Sequence, residues 1–468
     1  MNWLCVAALA ALACAASASA ATVVVYPAPA GEKASEDYTI DAGGKPVFVY
    51  TAQVLRGGPA SFAYFDFDGP VDVTVTARAD VAKAKVRPES AGIAPKVEGR
   101  KITFTLARPG NLTLELGDSI DRALHLFANP LETDTPKPDD PNVLYFGPGV
   151  HEVGTTVVPS GKTVYLAGGS IVRGKILPDE KPTGESFAKK KCYTPLFSFK
   201  DARQVAFRGR GILDMSTLDW HSKNPICVEG CTDVRIEGVI IKDAPNWCYA
   251  VFGSKNVLVR NVKAIAHREN SDGIDIVNSQ DVVVDGCFLR TNDDEICVKT
   301  TSPAPALEGK NITFQNCVIW NERAQGLGIT YETRVNVTNF LVKNCDVIHD
   351  FGIASLAIYM VDSGTMSGVR FEDCRLEDTK NKLIYLKISQ DMWAHDATRG
   401  HVSGVQFKNI AVTGGPFPPS EIAGFDADHL VENVSIEGLT IHGTPIEDAA
   451  QGKFSINAFT KGIRFGKP

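Results

Sequence analysis

The stretch "SDGIDIVNSQDVVVDGCFLRTNDDEICVKT", Ser271 to Thr300, contains four short, mainly apolar runs separated by polar and turn-forming residues. The run that begins at Val282 has the form apolar, any, apolar, any, then Gly. Gly, Asn and Asp tolerate the left-handed backbone conformation that a tight corner needs, so this pattern predicts a short strand followed by a corner. The stretch also sets two carboxylates side by side, Asp293 and Asp294, an arrangement that costs free energy unless it has a use.

The pattern at Val282 recurs through the second part of the chain. Its first residues are Val205, Val234, Val257, Val282, Ile312, Phe340, Val369, Val405 and Val434, and successive ones lie 23 to 36 residues apart. Repeats of this size made of strands and turns predict a solenoid, whereas helical solenoids would need longer segments of period 3.6. We therefore predict a right-handed parallel β-helix, with Asn side chains that stack and hydrogen-bond from coil to coil at the corners.

The cysteines test the register of the repeat. Cys287, Cys317, Cys345 and Cys374 each lie five residues after the first residue of their coil, where other coils have Val, Ile or Leu. A position that exchanges Cys with aliphatic residues is typical of a buried core and not of a metal cluster. A local disulfide between Cys227 and Cys231 is a second use of cysteine that spacing alone leaves open.

Residues 1–20 have the pattern of a signal peptide, because an apolar run ends at the cleavage-like Ala18-Ser19-Ala20. A lipoprotein anchor at Cys14 is less favoured, since Ala11 stands where a large aliphatic residue is expected. No other segment is apolar enough to span a bilayer, so we expect a secreted or periplasmic, soluble protein. The net charge of −7, with mixed signs and no basic patch, argues against nucleic-acid partners.

Residues 21–130 differ from the repeat. Runs such as "SFAYFDF", "VDVTVTA" and "KITFTL" alternate with period two between Gly, Pro and charged turns, which predicts a small antiparallel β-sandwich. Residues 131–142 are rich in Pro and Asp and are predicted to be a linker. The β-helix domain is then expected over residues 143–468.

Stacking the coils on one another brings separate carboxylates together. When the apolar pairs Ile274/Ile276, Ile296/Val298 and Leu327/Ile329 are aligned, Asp272, Asp294 and Gln325 occupy one position on three successive coils. Asp293 lies one residue earlier on its own coil. Adjacent coils are about 4.8 Å apart, so at least one carboxyl pKa should rise, as an acid–base enzyme requires.

Two simpler interpretations of these residues stay open. Asp before a strand is often a turn cap, and clustered carboxylates also suit a calcium ion. Asp272 has the same parity as the core residue Ile274, so its side chain points outward only if the chain bends between them. The turn-like "NSDG" and "TNDD" favour such a bend.

At these residues the chain resembles glycoside hydrolase family 28, the polygalacturonase-like β-helix enzymes. The segment "NSDGID", Asn270 to Asp275, is similar to the family's Asn-Thr-Asp motif, and "NDDEICVK" to its Asp-Asp motif, 21 residues from Asp272 to Asp293. The resemblance implies an inverting glycoside hydrolase that acts on a pectin-type polysaccharide or oligosaccharide, without cofactor or metal, and we expect a monomer. Asp293 would be the general acid, Asp272 and Asp294 would activate water, and Asn270 would contact substrate.

The chain departs from the family pattern at two places. Gln325, in Ala324-Gln325-Gly326, stands where the family has His between glycines. The family's Arg-Ile-Lys is absent as such, and "NKLIYLKI" suggests Lys382 or Lys387 as a replacement for one cation that would meet a substrate carboxylate. A neutral glycan is therefore a clear alternative to a uronic-acid polymer.

The related dextranases, which join a β-sandwich to a β-helix, are a second resemblance, carried by the run from Tyr145 to Gly174. It implies an alternative dextranase-like hydrolysis of a neutral α-glucan.

Trp247, one coil before Asp272, is a candidate for stacking on a sugar ring but is equally compatible with the core. His267 is a candidate to line the cleft or an ordinary surface residue. Lys299 is expected to pair with a nearby acid.

Two functions of other classes remain as rivals. A polysaccharide lyase on the same scaffold would use calcium and a basic residue to remove a proton from a uronate. A non-catalytic glycan-binding β-solenoid would bind sugar without producing reducing ends. The three carboxylates that the coils gather favour hydrolysis over both.

Overall fold

The computed structural model describes residues 21–466, so the predicted signal segment lies outside the described residues. Five large sheets and one two-stranded hairpin make up almost all regular structure, and the described helix is a short 3₁₀ turn, Glu89–Ala91. No helix of this part of the chain has the length and apolar character needed to cross a membrane. The fold class predicted from the repeat, a parallel β-helix preceded by a β-sandwich, is confirmed.

The N-terminal part is a sandwich of two sheets whose facing sides enclose a common apolar core. The six-stranded sheet consists of Thr22–Val25, Ala60–Asp68, Leu124–Pro130, Gly110–Leu116 and Ala84–Arg87 in spatial order, with Val49–Ala52 beside Ala60–Asp68. The five-stranded sheet consists of Lys45–Val47, Tyr38–Ala42, Val71–Ala77, Lys101–Leu106 and Lys96–Glu98. All pairings are antiparallel except that of Leu124–Pro130 with Ala60–Asp68, which is parallel.

The β-helix has three sheets of parallel strands, and each coil adds one strand to each sheet. The first sheet consists of Val143–Phe146, Thr163–Leu166, Arg203–Gly209, Thr232–Glu237, Lys255–Arg260, Gln280–Asp285, Gly309–Gln315, Val337–Lys343, Thr365–Glu372, His401–Lys408, Val431–Glu437 and Thr460–Gly466. The second sheet consists of Gly149–Val153, Ser170–Gly174, Ile212–Asp214, Ile240–Lys242, Lys263–Ile265, Phe288–Arg290, Val318–Asn321, Asp346–Asp350, Arg375–Leu376, Ala411–Val412, Thr440–Ile441 and the antiparallel Thr444–Pro445. The third sheet consists of Thr156–Val157, Phe197–Lys200, Ile226–Glu229, Tyr249–Phe252, Ile274–Val277, Ile296–Thr300, Gln325–Thr333, Ala354–Met360, Lys382–Ile388, Ser420–Ala423 and Phe454–Ile456. The hairpin Gly184–Glu185 and Lys191–Cys192 projects from an early coil.

The predicted repeat register is confirmed residue by residue. The nine residues that begin the pattern, from Val205 to Val434, pair with one another in order along the first sheet. The corner residue of each pattern has a positive φ, for example 56° at Asn316 and 52° at Asn344. The corner amides also bond between coils, because Asn344 Nδ2 donates to Asn316 Oδ1 at 2.7 Å. The cysteines five residues after each pattern start are buried free thiols, and Cys227 and Cys231 are also free thiols.

The sandwich covers the second sheet of the β-helix, so a site for substrate has to lie on another sheet. Every residue from Ala60 to Phe67 is buried, because the six-stranded sheet packs on the five-stranded sheet with one face and on the second β-helix sheet with the other. The period-two alternation of "SFAYFDF" therefore does not mark a solvent-facing side. Phe127 of the sandwich lies 5.1 Å from Phe288 of the β-helix between ring centroids, and Arg210 donates to Asp66 at 2.9 Å across the same interface.

We predict that the corner amide ladder stabilises the fold through two separable contributions. Asn344→Gly keeps the left-handed backbone but loses the bond to Asn316, at a cost of about 1 kcal/mol. Asn344→Ala loses the same bond and also places a Cβ in the left-handed region, at a further cost of about 1–2 kcal/mol. Urea unfolding should therefore rank wild type above Asn344→Gly and Asn344→Gly above Asn344→Ala. Equal midpoints for the two variants would contradict the backbone contribution.

Candidate active site

The third sheet aligns the candidate residues as the repeat predicts. Ile274 pairs with Ile296 and Ile296 with Leu327, so Asp272, Asp294 and Gln325 each lie two residues before a paired residue on three neighbouring coils. Backbone bonds continue this register outside the strands, because Gly273 N donates to Asp294 O at 2.9 Å and Glu295 N to Gln325 O at 2.9 Å. The carboxylates that are far apart in sequence are thus brought together by ordinary strand pairing.

A bend turns the Asp272 side chain out of the core. The chain bends at Gly273, between Asp272 and the core residue Ile274, and again at Glu295 on the next coil. A Cβ on Gly273 would lie 2.2 Å from the carbonyl oxygen of Glu295, so only glycine allows the two coils to approach this closely. The outward bend that the sequence required is therefore present, and Asp272, Asp293 and Asp294 all line one cleft.

Asp293 is the most exposed carboxyl of the three and closes its own turn. Its Oδ1 accepts the backbone N–H of Asp294 at 3.0 Å, and its Oδ2 accepts that of Asn270 from the preceding coil at 3.2 Å. Burial in the cleft, followed by the neighbouring charges of Asp272 and Asp294, raises the pKa of Asp293 well above its ordinary value. A carboxyl in this environment holds its proton to higher pH than an exposed carboxyl does.

Asp272 and Asp294 lie beneath Asp293 in different environments. One carboxylate oxygen of each lies within 4.8 Å of the other and of Cys297 Sγ. Asp294 accepts the N–H of Gln325 at 3.0 Å on one oxygen and the hydroxyl of Thr330 at 2.8 Å on the other. Asp272 Oδ1 is buried without a hydrogen-bond partner, and burial raises the pKa of Asp272 to about 6.

Lys299 supplies the positive charge among these carboxylates. Its Nζ lies 2.9 Å from Asp272, 3.2 Å from Asp275 and 3.3 Å from Asp294. Burial lowers the pKa of Lys299, but the surrounding carboxylates outweigh it and raise that pKa above its ordinary value, so the ammonium stays charged. Asp272, Asp294 and Cys297 are close enough to share a metal ion, yet the ammonium already lies among the same oxygens and would repel one.

The cleft has a volume of about 680 Å³, within the range of ordinary ligand pockets. Its walls combine aromatic rings, amides and charged groups. The lining includes the aromatic residues Phe187, Trp247, Phe252, Tyr331 and Trp393, the amides Asn224, Asn246 and Asn270, and the charged residues Glu269, Asp272, Asp293, Asp294, Lys299, Arg323 and Glu332. Aromatic faces beside amide and carboxyl groups are the combination that binds a sugar ring by stacking and hydrogen bonds.

Three sequence candidates lie in or beside this cleft. Trp247 lines it, with its ring stacked on Phe252 at 5.9 Å and the Lys299 ammonium 4.5 Å from the ring centroid. Asn270 lines it and accepts a hydrogen bond from His221 Nε2 at 2.8 Å. Gln325 is almost fully buried with both amide atoms unpartnered, and its contribution to the site is the backbone N–H that it donates to Asp294.

The structure does not bring His267, Lys382 or Lys387 to the cleft, which corrects those candidates. His267 hydrogen-bonds to Asp243 at 3.1 Å and is not among the residues that line the cleft. Lys382 and Lys387 lie on a strand two positions past Gln325 in the third sheet, and both pair with Glu421, at 3.5 and 2.9 Å. Their side chains are thus engaged further along the sheet.

Sequence reasoning missed several residues that line the cleft. The repeat pattern alone could have predicted Asn224. Ile226 pairs with Tyr249, so Asn224 occupies the position of Trp247 on the preceding coil. Arg323 directly precedes Ala324 and faces the cleft as the partner of Glu269, whereas the family motif places the Arg further along the chain. Phe187 and Trp393 lie in insertions between strands, where the repeat gives no register.

The protein is therefore a three-sheet parallel β-helix. One of its sheets carries a carboxylate-lined cleft that is a candidate acid–base site. The sequence profile of Glycosyl hydrolases family 28 matches residues 216–452, and the chain belongs to this family. The match includes every residue of the carboxylate cluster and confirms the resemblance seen in the two aspartate motifs.

Curated relatives resemble this chain in sequence, and solved structures resemble it in fold. A polygalacturonase from Medicago sativa is 28% identical over 192 residues, which are 38% of this chain and 43% of the relative. The chain thus matches less than half the length of that relative. Among solved structures, Dex49A from Penicillium minioluteum has a TM-score of 0.65 at 16% identity, covering 94% of this chain and 96% of that one. A hyperthermoactive exopolygalacturonase from Thermotoga maritima has a TM-score of 0.57 at 20% identity, covering 69% and 84%. The Dex49A likeness extends over nearly the whole chain and so supports the combined sandwich and β-helix fold.

We predict that Lys299→Met destabilises the protein most at alkaline pH. Without the ammonium, the pKa of the buried carboxyls rises further, so the folded state holds protons that the unfolded state has released. The penalty, several kcal/mol as for other broken buried ion pairs, should be largest near pH 8 and shrink as the pH falls through about 6. Thermal unfolding of wild type and variant at pH 5 and pH 8 measures it. Lys299→Arg, which keeps the charge, is the control, and a loss of stability that is the same at both pH values would refute the electrostatic role.

Proposed function

We propose that this protein is a glycoside hydrolase that cleaves a polysaccharide or oligosaccharide with inversion of the anomeric centre. The observation that carries the proposal is that three neighbouring carboxyls have two different environments. Asp293 is open to the cleft and accepts two backbone N–H groups, whereas Asp272 and Asp294 are buried beside the Lys299 ammonium. Membership in Glycosyl hydrolases family 28 gives independent support. The same scaffold serves other chemistries, so the proposal depends on the site and not on the fold.

In this proposal Asp293 is the general acid. Its raised pKa lets it hold the proton to higher pH than an exposed carboxyl would, and its partial exposure lets the carboxyl reach a glycosidic oxygen in the cleft. The carboxyl donates its proton to that oxygen as the bond to the anomeric carbon breaks. The two N–H donors on Asp293 then stabilise the carboxylate that remains.

Asp272 and Asp294 hold and deprotonate the attacking water. Asp272 Oδ1 is the free acceptor, since its other oxygen is engaged by Lys299 and both oxygens of Asp294 are engaged by protein donors. Water bound there would attack the anomeric carbon from the face opposite Asp293, as in inverting enzymes, where the water lies between the base and the sugar. The base form predominates above pH about 6, the pKa of Asp272.

The substrate class has two candidates, each favoured by a different observation. The polygalacturonase relative makes a pectin-type glycan the first. The cleft charges favour an uncharged glycan as the second, because both lining cations are already paired, Lys299 with three carboxylates and Arg323 with Glu269. A uronate carboxylate would compete with Glu269 for Arg323 in a cleft that already holds several acids, whereas a neutral sugar meets no such competition.

The rival functions fit these contacts less well. A lyase needs a base that removes a proton from a carbon, but the ammonium of Lys299 stays protonated among three carboxylates. A binding protein without catalysis would have no reason to keep a buried carboxyl with an unpartnered oxygen next to two others.

We further propose that the protein acts as an exported monomer, since a polymeric glycan lies outside the cell and residues 1–20 have the pattern of a signal peptide.

We predict that Asp293→Asn abolishes cleavage while leaving the fold and sugar binding intact. The amide cannot donate a carboxylic proton. Its NH2 group loses one of the two backbone N–H bonds, but the substitution also removes a carboxyl whose raised pKa destabilises the folded state at pH values above its pKa in the unfolded chain. These two effects oppose each other, so the thermal midpoint should change little. Reducing-end assays on polygalacturonate, dextran and other α-glycans measure activity, and calorimetry measures binding. Asp139→Asn, at an exposed position in the linker, is the matched control. Turnover comparable with wild type in Asp293→Asn would contradict its assignment as acid.

We predict that the first product formed has the anomeric configuration opposite to that of the bond cleaved. A water held by Asp272 and Asp294 attacks once, from the far face, and no covalent intermediate forms. Proton NMR of a cleavage reaction, recorded before mutarotation, reads the anomer directly. A retained anomer would instead require one of the two carboxylates to act as a nucleophile.

A further inference from the structure

Two insertions between strands of the β-helix meet above the cleft. The hairpin arm, residues 184–192, precedes the strand Phe197–Lys200, and the loop arm, residues 389–399, follows the strand Lys382–Ile388. These strands are seven steps apart in the third sheet, about 34 Å at roughly 4.8 Å per step. Nevertheless, Phe187 of the hairpin arm contacts Trp393 of the loop arm edge to face, with ring centroids 5.5 Å apart. Both rings line the same cleft as Asp272, Asp293 and Asp294, so the contact closes over the candidate catalytic residues.

The loop arm covers the sheet surface beyond the cleft on the side of the later coils. There the rings of Tyr331, Tyr359 and Tyr385 follow one another along the third sheet, 5.2 and 5.1 Å apart between centroids. Such a row of aromatic faces would be an open platform for further sugar units, but Tyr359 is only 8% exposed. Asp391 of the loop arm accepts the Tyr359 hydroxyl at 2.9 Å, and Ala394 packs on the same cluster.

Several buried polar contacts fasten the loop arm in this position. Asp362, which is fully buried, accepts the backbone N–H groups of His395 and Asp396 at 2.7 and 2.8 Å. Asp396 in turn accepts Arg334 Nε at 3.0 Å and the Ser363 hydroxyl at 2.7 Å. Charge-assisted bonds of this kind hold a loop in one geometry, so the cover over the tyrosine row is a fixed wall of the site.

The hairpin arm closes the cleft on the side of the earlier coils and is joined to the carboxylate cluster. Phe187 also packs against His221, 5.1 Å between centroids, and His221 Nε2 bonds to Asn270 Oδ1 at 2.8 Å. The backbone of Asn270 donates to Asp293, so the aromatic contact is continuous with the candidate acid. At the base of this arm, Tyr193 N donates to Ser222 O at 2.8 Å.

We propose that the Phe187–Trp393 contact and the two arms make the cleft a pocket for the end of a glycan chain. A polymer that lay across the carboxylates with units on both sides would have to pass through the loop arm or between the two rings. A chain end needs neither, so cleavage removes a short product of uniform size from the chain terminus. This inference rests on the proposed hydrolysis and specifies which bonds of the polymer it reaches.

The test compares the fall in viscosity with the appearance of reducing ends on polymeric polygalacturonate and on dextran. Wild type should release a single product size from the first minutes while viscosity stays near its starting value. Phe187→Ala and Trp393→Ala should open the pocket, so that viscosity falls several-fold more for each reducing end released and longer products appear. Met392→Ala, next to Trp393 but 81% exposed, is the matched control and should behave as wild type.

The outcomes separate this inference from the function it rests on. An early fall in viscosity with wild type shows cleavage of internal bonds and overturns the chain-end pocket while leaving the hydrolysis intact. A product profile in Phe187→Ala and Trp393→Ala that matches Met392→Ala overturns the aromatic contact as the barrier. The absence of new reducing ends on every glycan tested would instead refute the proposed hydrolysis, and with it the basis of the inference. The wild-type profile decides the main question even if a variant fails to fold.

Discussion

The in-register pairing of parallel strands in the third sheet is the constraint on which the site depends. Each coil must place its apolar pair over that of its neighbour, as Ile274 lies beside Ile296 and Ile296 beside Leu327. Residues that precede those pairs are then fixed at the strand spacing of about 4.8 Å, whatever their charge. Asp272 and Asp294 are neighbours because the core aligns the coils, so burial of the core stabilises a juxtaposition that the carboxylates themselves oppose. The same burial that orders the coils also raises the carboxyl pKa values on which acid–base chemistry depends.

Lys299 reduces the electrostatic repulsion between these neighbouring carboxylates. It lies on the strand Ile296–Thr300 that follows the Asp293–Asp294 pair, on the same side of that strand as Cys297, and its ammonium contacts carboxylates from two coils. The Lys299 ammonium neutralises charge in a different way from a bound metal ion. It bonds to one oxygen of Asp272 and leaves the other oxygen free to accept a hydrogen bond from water. Asp272 Oδ1 therefore stays free even though the cluster as a whole is compensated.

The sequence predicts the β-helix and the carboxylate cluster because both follow from a local repeat. The residues that begin the pattern, the Asn344 corner and the Asp272–Asp294 alignment can be counted along the chain, and the strand register confirms them. The cations were predicted from motif order instead of register, and Lys382 and Lys387 proved to be engaged elsewhere. Extending the alignment by one coil would have found Asn224. The burial of both faces of Ala60–Asp68 could not be predicted, since it arises where one domain packs on the other.

The walls of the cleft, formed by insertions between strands, depend on different constraints from its floor, which is formed by the carboxylates on the third sheet. A coil tolerates an insertion between its strands because the strands on either side keep their pairing, so length can be added without disturbing the carboxylates. Phe187 and Trp393 lie 206 positions apart in such insertions, and nothing in the repeat relates them. Their contact depends on where each arm emerges and on the anchors of each, such as Asp362 beneath the loop arm. The floor can therefore stay constant while the arms change, and the length of glycan admitted would depend on the arms more than on the catalytic residues.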